Sequence, residues 1–212
     1  MALALAAATG CATAAPNPIS TPPASQTAPA VSGTPPPNVG LEGAGLPTLL
    51  PESVLRRVPT RVVVRGLGID LAVVEPPGAT SSRFPDCNVA EFLPTLSRPG
   101  RPGTTFLYAH ARPGMFLPIL EASLVGGGRS MVGLRVDVFT SDNRLFTYEA
   151  TEVLRHVVSL DDAFRATSEQ LILQTSEGPR GTPGKTMLLA RPVGEKDADP
   201  EAAHPEANPV PC

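Results

Sequence analysis

The sequence predicts an all-β domain whose sheet closes into a barrel, set between a Pro-rich prefix and a Pro- and Glu-rich tail. Three observations predict it. Short β-branched runs recur along the middle of the chain, each bounded by Gly, Pro, Asn or Asp. Helix-period segments there are few and short. Large apolar residues are sparse outside residues 58–194, so the 212 residues suit one folded domain rather than two.

The runs fall in this order. Thr60–Arg65 and Ile69–Val74 read as two consecutive strands around Gly66 and Gly68, the second stopped by Pro76, Pro77 and Gly78. Asp86–Leu93 reads as a short strand or one helical turn. Thr104–His110 alternates as a strand, and Met115–Ala122 reads as a short helix. Val132–Thr140 and Leu145–Val157 form a hairpin over Ser141, Asp142 and Asn143, with apolar positions two apart. Asp161–Arg165 is a helical turn, Leu171–Thr175 a strand, and Met187–Arg191 the last strand.

Aromatics are 4% of the chain and Trp is absent, so Val and Leu carry most of the core. A domain of this length buries an adequate core without disulfide staples. Formal net charge is −3 with no basic run, which argues against a nucleic-acid partner. Cys11, Cys87 and Cys212 have no metal-ligand spacing, and His110, His156 and His204 are scattered. No metal site and no cofactor are expected.

Residues 1–11 read as an export signal. An apolar run, Met1–Thr9, precedes Gly10 and Cys11 and resembles a bacterial lipoprotein signal with Cys11 as the acylated residue, although no Lys or Arg precedes the run. Residues 12–51 hold ten prolines and one charged residue, Glu42. Such a chain buries too little apolar area to offset its ordering entropy, so residues 12–57 are expected to form a disordered spacer. The tail 195–212 is expected to be disordered as well, with His204 incidental.

Landmark residues within 58–194 resemble those of the sortases, of the class E/F kind. Sortases are β-barrel cysteine transpeptidases of bacterial surfaces. Tyr108, Ala109 and His110 stand where a strand ends in Ala-Gly-His. Phe116, Leu117, Pro118, Ile119 and Leu120 loosely match a following Phe-x-x-Leu helix. Leu173, Gln174, Thr175 and Ser176 stand at a Leu-x-Thr-Cys strand end, with Ser176 in place of Cys. Lys185 precedes the last strand where Arg is usual, and Gly78, Ala79 and Thr80 resemble a segment beside the substrate groove. The resemblance implies a closed barrel of about eight strands with short helices. It also implies a surface peptide or cell-wall substrate, and an extracytoplasmic protein held to a membrane through its N-terminal anchor.

In that family a Cys thiolate attacks a threonine carbonyl, His is acid and base, and Arg stabilises the oxyanion. A thiolate forms readily beside an imidazolium, whereas a hydroxyl needs a positioned neutral base. Lys is a point charge where Arg is a planar fork. Four readings stay open. Ser176 is a nucleophile with His110 or Lys185 as base; Cys87, in FPDCNVAEF, supplies the thiol; the domain binds a peptide or glycan without turnover; or the barrel is structural. Arg180, between Ser176 and the last strand, is the first oxyanion candidate. Arg191 is a poorer one, and Arg112 and Glu177 flank the site. The functional expectation is a peptide-processing transpeptidase or peptidase with a degenerate nucleophile, the alternative being an inactive binding module. The bland readings are a turn-forming Ser176, a core Cys87 and a satisfied polar His110.

Overall fold

The computed structural model describes residues 51–76, 85–178 and 182–212. Its elements in chain order are α1 (Glu52–Arg56), β1 (Pro59–Val64), β2 (Ile69–Val74), β3 (Ala90–Phe92), β4 (Thr104–Tyr108), α2 (Leu117–Leu124), β5 (Arg135–Thr140), β6 (Arg144–Val157), α3 (Asp161–Arg165), β7 (Gln170–Ser176), β8 (Lys185–Asp197) and α4 (Pro200–Ala203).

The eight strands close in the order β1-β2-β3-β4-β7-β8-β6-β5, with β1 pairing β5 to seal the barrel. Two neighbouring pairs are parallel, β2 with β3 and β4 with β7. Parallel neighbours need long crossovers. The crossover from β4 to β7 carries α2, the β5–β6 hairpin and α3.

Strand alternation sorts the side chains into two layers. Val62, Val64, Ile69, Leu71, Val136, Val138, Tyr148, Leu171, Leu173 and Leu188 belong to the main core, with Phe92 and Leu107. The intervening residues Phe106, Tyr108, Ile172 and Met187 form a separate apolar cluster with Ala163 of α3. Burying an aliphatic or aromatic side chain is worth about 1.5–3 kcal/mol, so the many Val and Leu residues compensate for the missing Trp.

The fold reaches beyond residues 58–194 at both ends. Arg57, expected in the spacer, is 5% exposed. Its Nε donates to both Asp142 carboxylate oxygens at 3.0 and 2.9 Å, Nη1 donates to the Pro99 carbonyl at 3.2 Å, and the guanidinium stacks on Phe146. Gly100 is required there: it has φ +78°, and a Cβ on it would lie 2.6 Å from Arg57 Nη1.

The tail is also built into the barrel, against the expectation of disorder for residues 195–212. β6 is long enough to pair Phe146 with Glu195 and Leu145 with Lys196, so β8 continues past Gly194. Arg144 ion-pairs with Glu195 and Asp197. Asp199 then caps α4 through the Ala202 N–H, and Ala203 is fully buried against Val63, Phe139 and Leu145. His204 is bonded to Asn143 Oδ1 at 2.8 Å. Composition alone argues for disorder here; a ladder and a buried Ala supply contacts that composition does not register.

Candidate active site

The site grows from one pair of parallel strands. β4 and β7 run in register to Tyr108 opposite Gln174. The Ala109 N–H then donates to the Gln174 carbonyl, and Thr175 Oγ1 donates to the Ala109 carbonyl at 3.0 Å. His110 and Ser176 each follow two residues beyond that last pair. The His110 carbonyl accepts from the Arg112 and Phe116 N–H groups, which turns the chain into α2. Phe116 and Ile119 are fully buried and hold that turn against the core.

Ser176 ends β7 opposite Lys185, which opens β8. Lys185 Nζ donates to Ser176 Oγ at 3.2 Å. The His110 imidazole is bonded through Nε2 to the Pro85 carbonyl at 3.0 Å. A carbonyl only accepts, so Nε2 carries a hydrogen and Nδ1 holds the lone pair in the neutral ring.

Cys87 is not a free thiol. It is disulfide-bonded to Cys212, 125 residues away, with Cα atoms 5.4 Å apart. This corrects the expectation of a Cys87 thiol available as nucleophile, and adds a staple to a domain long enough to bury a core without one. The physical reason is an antiparallel bridge, in which the Cys87 N–H donates to the Val210 carbonyl at 2.8 Å and the Val210 N–H donates back at 3.3 Å. That pairing delivers Cys212 to Cys87. Both sulfurs and an imidazole nitrogen of His110 lie within 4.8 Å of one another. Sequence spacing gave no sign of this cluster, because its members come from three distant segments. While the disulfide is closed, the two sulfurs are not thiolate ligands for a metal.

Glu177, expected on a charged rim, is a buried clamp whose side chain is 5% exposed. Its Oε1 accepts from the His156 N–H at 2.6 Å and from Thr186 Oγ1 at 2.9 Å, and Oε2 lies 2.6 Å from His156 Nδ1. Burial alone would raise its carboxyl. The His156 and Thr186 hydrogen bonds, with the nearby charges of His156 and Arg155, outweigh that and hold it below the ordinary value. Glu177 thereby fixes the backbone on the far side of Ser176 and pins His156 at φ +59°. Arg112 is exposed. Arg191 faces Glu149 in the β6–β8 ladder, towards the other end of β8 from Lys185. Arg180 and the segment Gly78–Thr80 lie outside the described residues, as does Cys11.

Ser176 and Lys185 share strand parity with Ile172 on β7 and with Met187 and Leu189 on β8. Leu154, Leu160, Ala163, Ile172, Met187 and Leu189 line a concave patch on that face. Eight polar or charged side chains, among them Glu152, Asp162, Arg165, Gln170 and Arg191, line the same concavity, so it is a trough of mixed character on the outside of the barrel. Ser176 and Lys185 lie beyond its lining, further along the same strand face.

A closed eight-stranded barrel of mixed sense, with a polar cluster where two parallel strands end, defines the class of fold. Known structures give that class its name. The chain is similar to sortase A of Listeria monocytogenes, with TM-score 0.52 and 16% identity over 68% of this chain and 92% of that one. It is similar to sortase C-1 of Actinomyces oris, with TM-score 0.50 and 17% identity over 63% and 71% of the two chains. It is also similar to a pilus-related sortase C of Group B Streptococcus, with TM-score 0.50 and 14% identity over 65% and 68%. The chain has a sortase-like fold. No protein-family model matches it. No curated protein matches it.

Proposed function

We propose that this chain is an extracytoplasmic, sortase-fold module that binds an extended peptide along the outer face of β7 and β8 without turning it over. The observation that carries the reading is the combination of an outer trough lined half by apolar side chains with a polar strand end where, among the described residues, no hydrogen bond joins His110 to Ser176. In the bond between Lys185 and Ser176, Lys185 Nζ donates and Ser176 Oγ accepts, so in this arrangement Lys185 does not serve the hydroxyl as a base. The imidazole is engaged by a carbonyl and stands beside a closed disulfide. An extended peptide suits a trough that follows strands, because alternate side chains enter it. The disulfide supports an oxidising compartment. Cys11 as a lipid anchor and residues 12–51 as a spacer complete the picture. Fatty-acid labelling that survives Cys11→Ser would end the anchor part of it. No described helix is long and apolar enough to cross a membrane.

The test is fluorescence anisotropy with an array of extended peptides, including sorting-signal-like ones, followed by mass spectrometry of each peptide after incubation. Binding that is weakened at least tenfold by Leu189→Glu, a variant checked for native circular dichroism because Leu189 is only partly buried in that lining, with every peptide intact, is the expected result. Cleavage or acyl transfer that disappears in Ser176→Ala would replace it with the second reading, a Ser–Lys hydrolase or transpeptidase. That reading is favoured by the 3.2 Å contact.

A further inference from the structure

The two sulfurs of the Cys87–Cys212 disulfide differ in kind. Cys87 is 7% exposed and packed into the barrel core, whereas Cys212 is exposed. The exposure of the two residues therefore favours attack at Cys212 over Cys87. The leaving group is then Cys87 Sγ, which departs beside His110. The ring is held in place by its Nε2–H bond to the Pro85 carbonyl, and Pro85 is two residues from Cys87 on the same segment. Thiol–disulfide exchange runs faster when the departing sulfur is a better leaving group, and a neighbouring imidazolium makes it one. A disulfide serving only as a clamp needs neither an exposed sulfur nor an adjacent imidazole.

We propose that Cys87–Cys212 is a redox-active disulfide whose substrate is a thiol outside the cytoplasm, with Cys212 as the attacked sulfur and His110 stabilising the departing Cys87 thiolate. In the first step a thiolate bonds to Cys212 Sγ, the S–S bond breaks, and its electron pair leaves on Cys87 Sγ. In the second, another thiolate attacks the substrate sulfur of that mixed disulfide and releases Cys212 Sγ, which takes up a proton. Two substrate thiols become one disulfide, and the chain's disulfide becomes two thiols. Opening removes the covalent tether on residues 203–212 and leaves their docking beside Cys87 to the Val210 bridge and to the packing of Val210 on the core. It also creates a Cys87 thiol next to an imidazole. The location of the substrate rests on the proposed extracytoplasmic reading, and the exchange itself is independent of peptide binding.

The test is a brief exposure of the full native chain to glutathione without denaturant, an alkylation quench, and peptide mass spectrometry. The expected result is glutathione on Cys212 and the alkyl group on Cys87. His110→Ala and His110→Gln, each checked for native circular dichroism, are expected to slow opening roughly five- to tenfold through the poorer leaving group. Glutathione found mainly on Cys87 would overturn the proposal. So would opening that requires denaturant, or an opening rate that both His110 variants leave unchanged; in either case the disulfide is a structural clamp.

Discussion

Ser176 and Lys185 are register partners at the end of the β7–β8 ladder, and Lys185 Nζ donates to Ser176 Oγ across 3.2 Å. An ammonium in that place does little for a hydroxyl as a nucleophile, but it would favour a thiolate. Ser176→Cys in a Cys11→Ser background should therefore react with a thiol-directed reagent faster than an ordinary exposed cysteine. A pKa lowered by one unit raises the thiolate fraction at neutral pH by roughly tenfold. Adding Lys185→Ala should remove the gain. Cys87 and Cys212 stay silent in this assay under non-reducing conditions, because they are bonded to each other. A Ser176→Cys thiol that reacts no faster with Lys185 than without it would show that the contact has no chemical consequence.

The disulfide closes a loop of 125 residues in sequence separation, so it restricts the unfolded chain strongly. Cys87→Ser and Cys212→Ser should each lower stability by about 2–5 kcal/mol in urea titrations. The double variant should cost no more than either single one. Reductant should bring the wild type down to the variants.

Arg57 and Asp142 form a buried pair that ties the entry of β1 to the β5–β6 turn. Burial would raise the Asp142 carboxyl, but the Arg57 and Thr140 hydrogen bonds hold it below its ordinary value. Arg57→Ala strands that carboxylate and should cost about 3–5 kcal/mol. Arg57→Lys should recover only part, since an ammonium does not reproduce the two-pronged contact and the bond to Pro99 together. Thermal melts of the three proteins distinguish these outcomes.

Glu177 gives a pH dependence with a definite sign. Its folded carboxyl lies below the ordinary 4.5, so it contributes stability above the unfolded value and loses that contribution as pH falls through the folded one. Glu177→Gln should cost about 2 kcal/mol near neutral pH, from the lost charge-assisted hydrogen bonds. The gap between variant and wild type should narrow as the solution is taken below pH 4.5. A gap that stays constant to strong acid would assign the cost to packing.

The strands were legible in the sequence because their signals are local. Alternation in Val136–Val138 and in Leu171–Leu173, with Gly and Asn at the turns, fixes which residues face inward wherever those strands pair. The β4 and β7 ends could be read as a candidate site because His110 and Ser176 each close a strand in a residue pattern that resembles a known family. Arg57 was unreadable, since nothing local distinguishes a buried guanidinium from an exposed one, and its partner lies 85 residues away. The tail misled for the same reason. Glu195 and Asp197 keep exposed side chains, and only the length of β6 brings their backbone into the ladder. Cys87 and Cys212 had one composition-level sign, and it depends on the proposed anchor: with Cys11 set aside for acylation, two cysteines remain to pair. What only the tertiary structure decided was that they meet, and that they meet at His110. Contacts between residues far apart in the chain depend on which strands become neighbours, and strand order in a closed barrel is a property of the whole sheet rather than of any one segment.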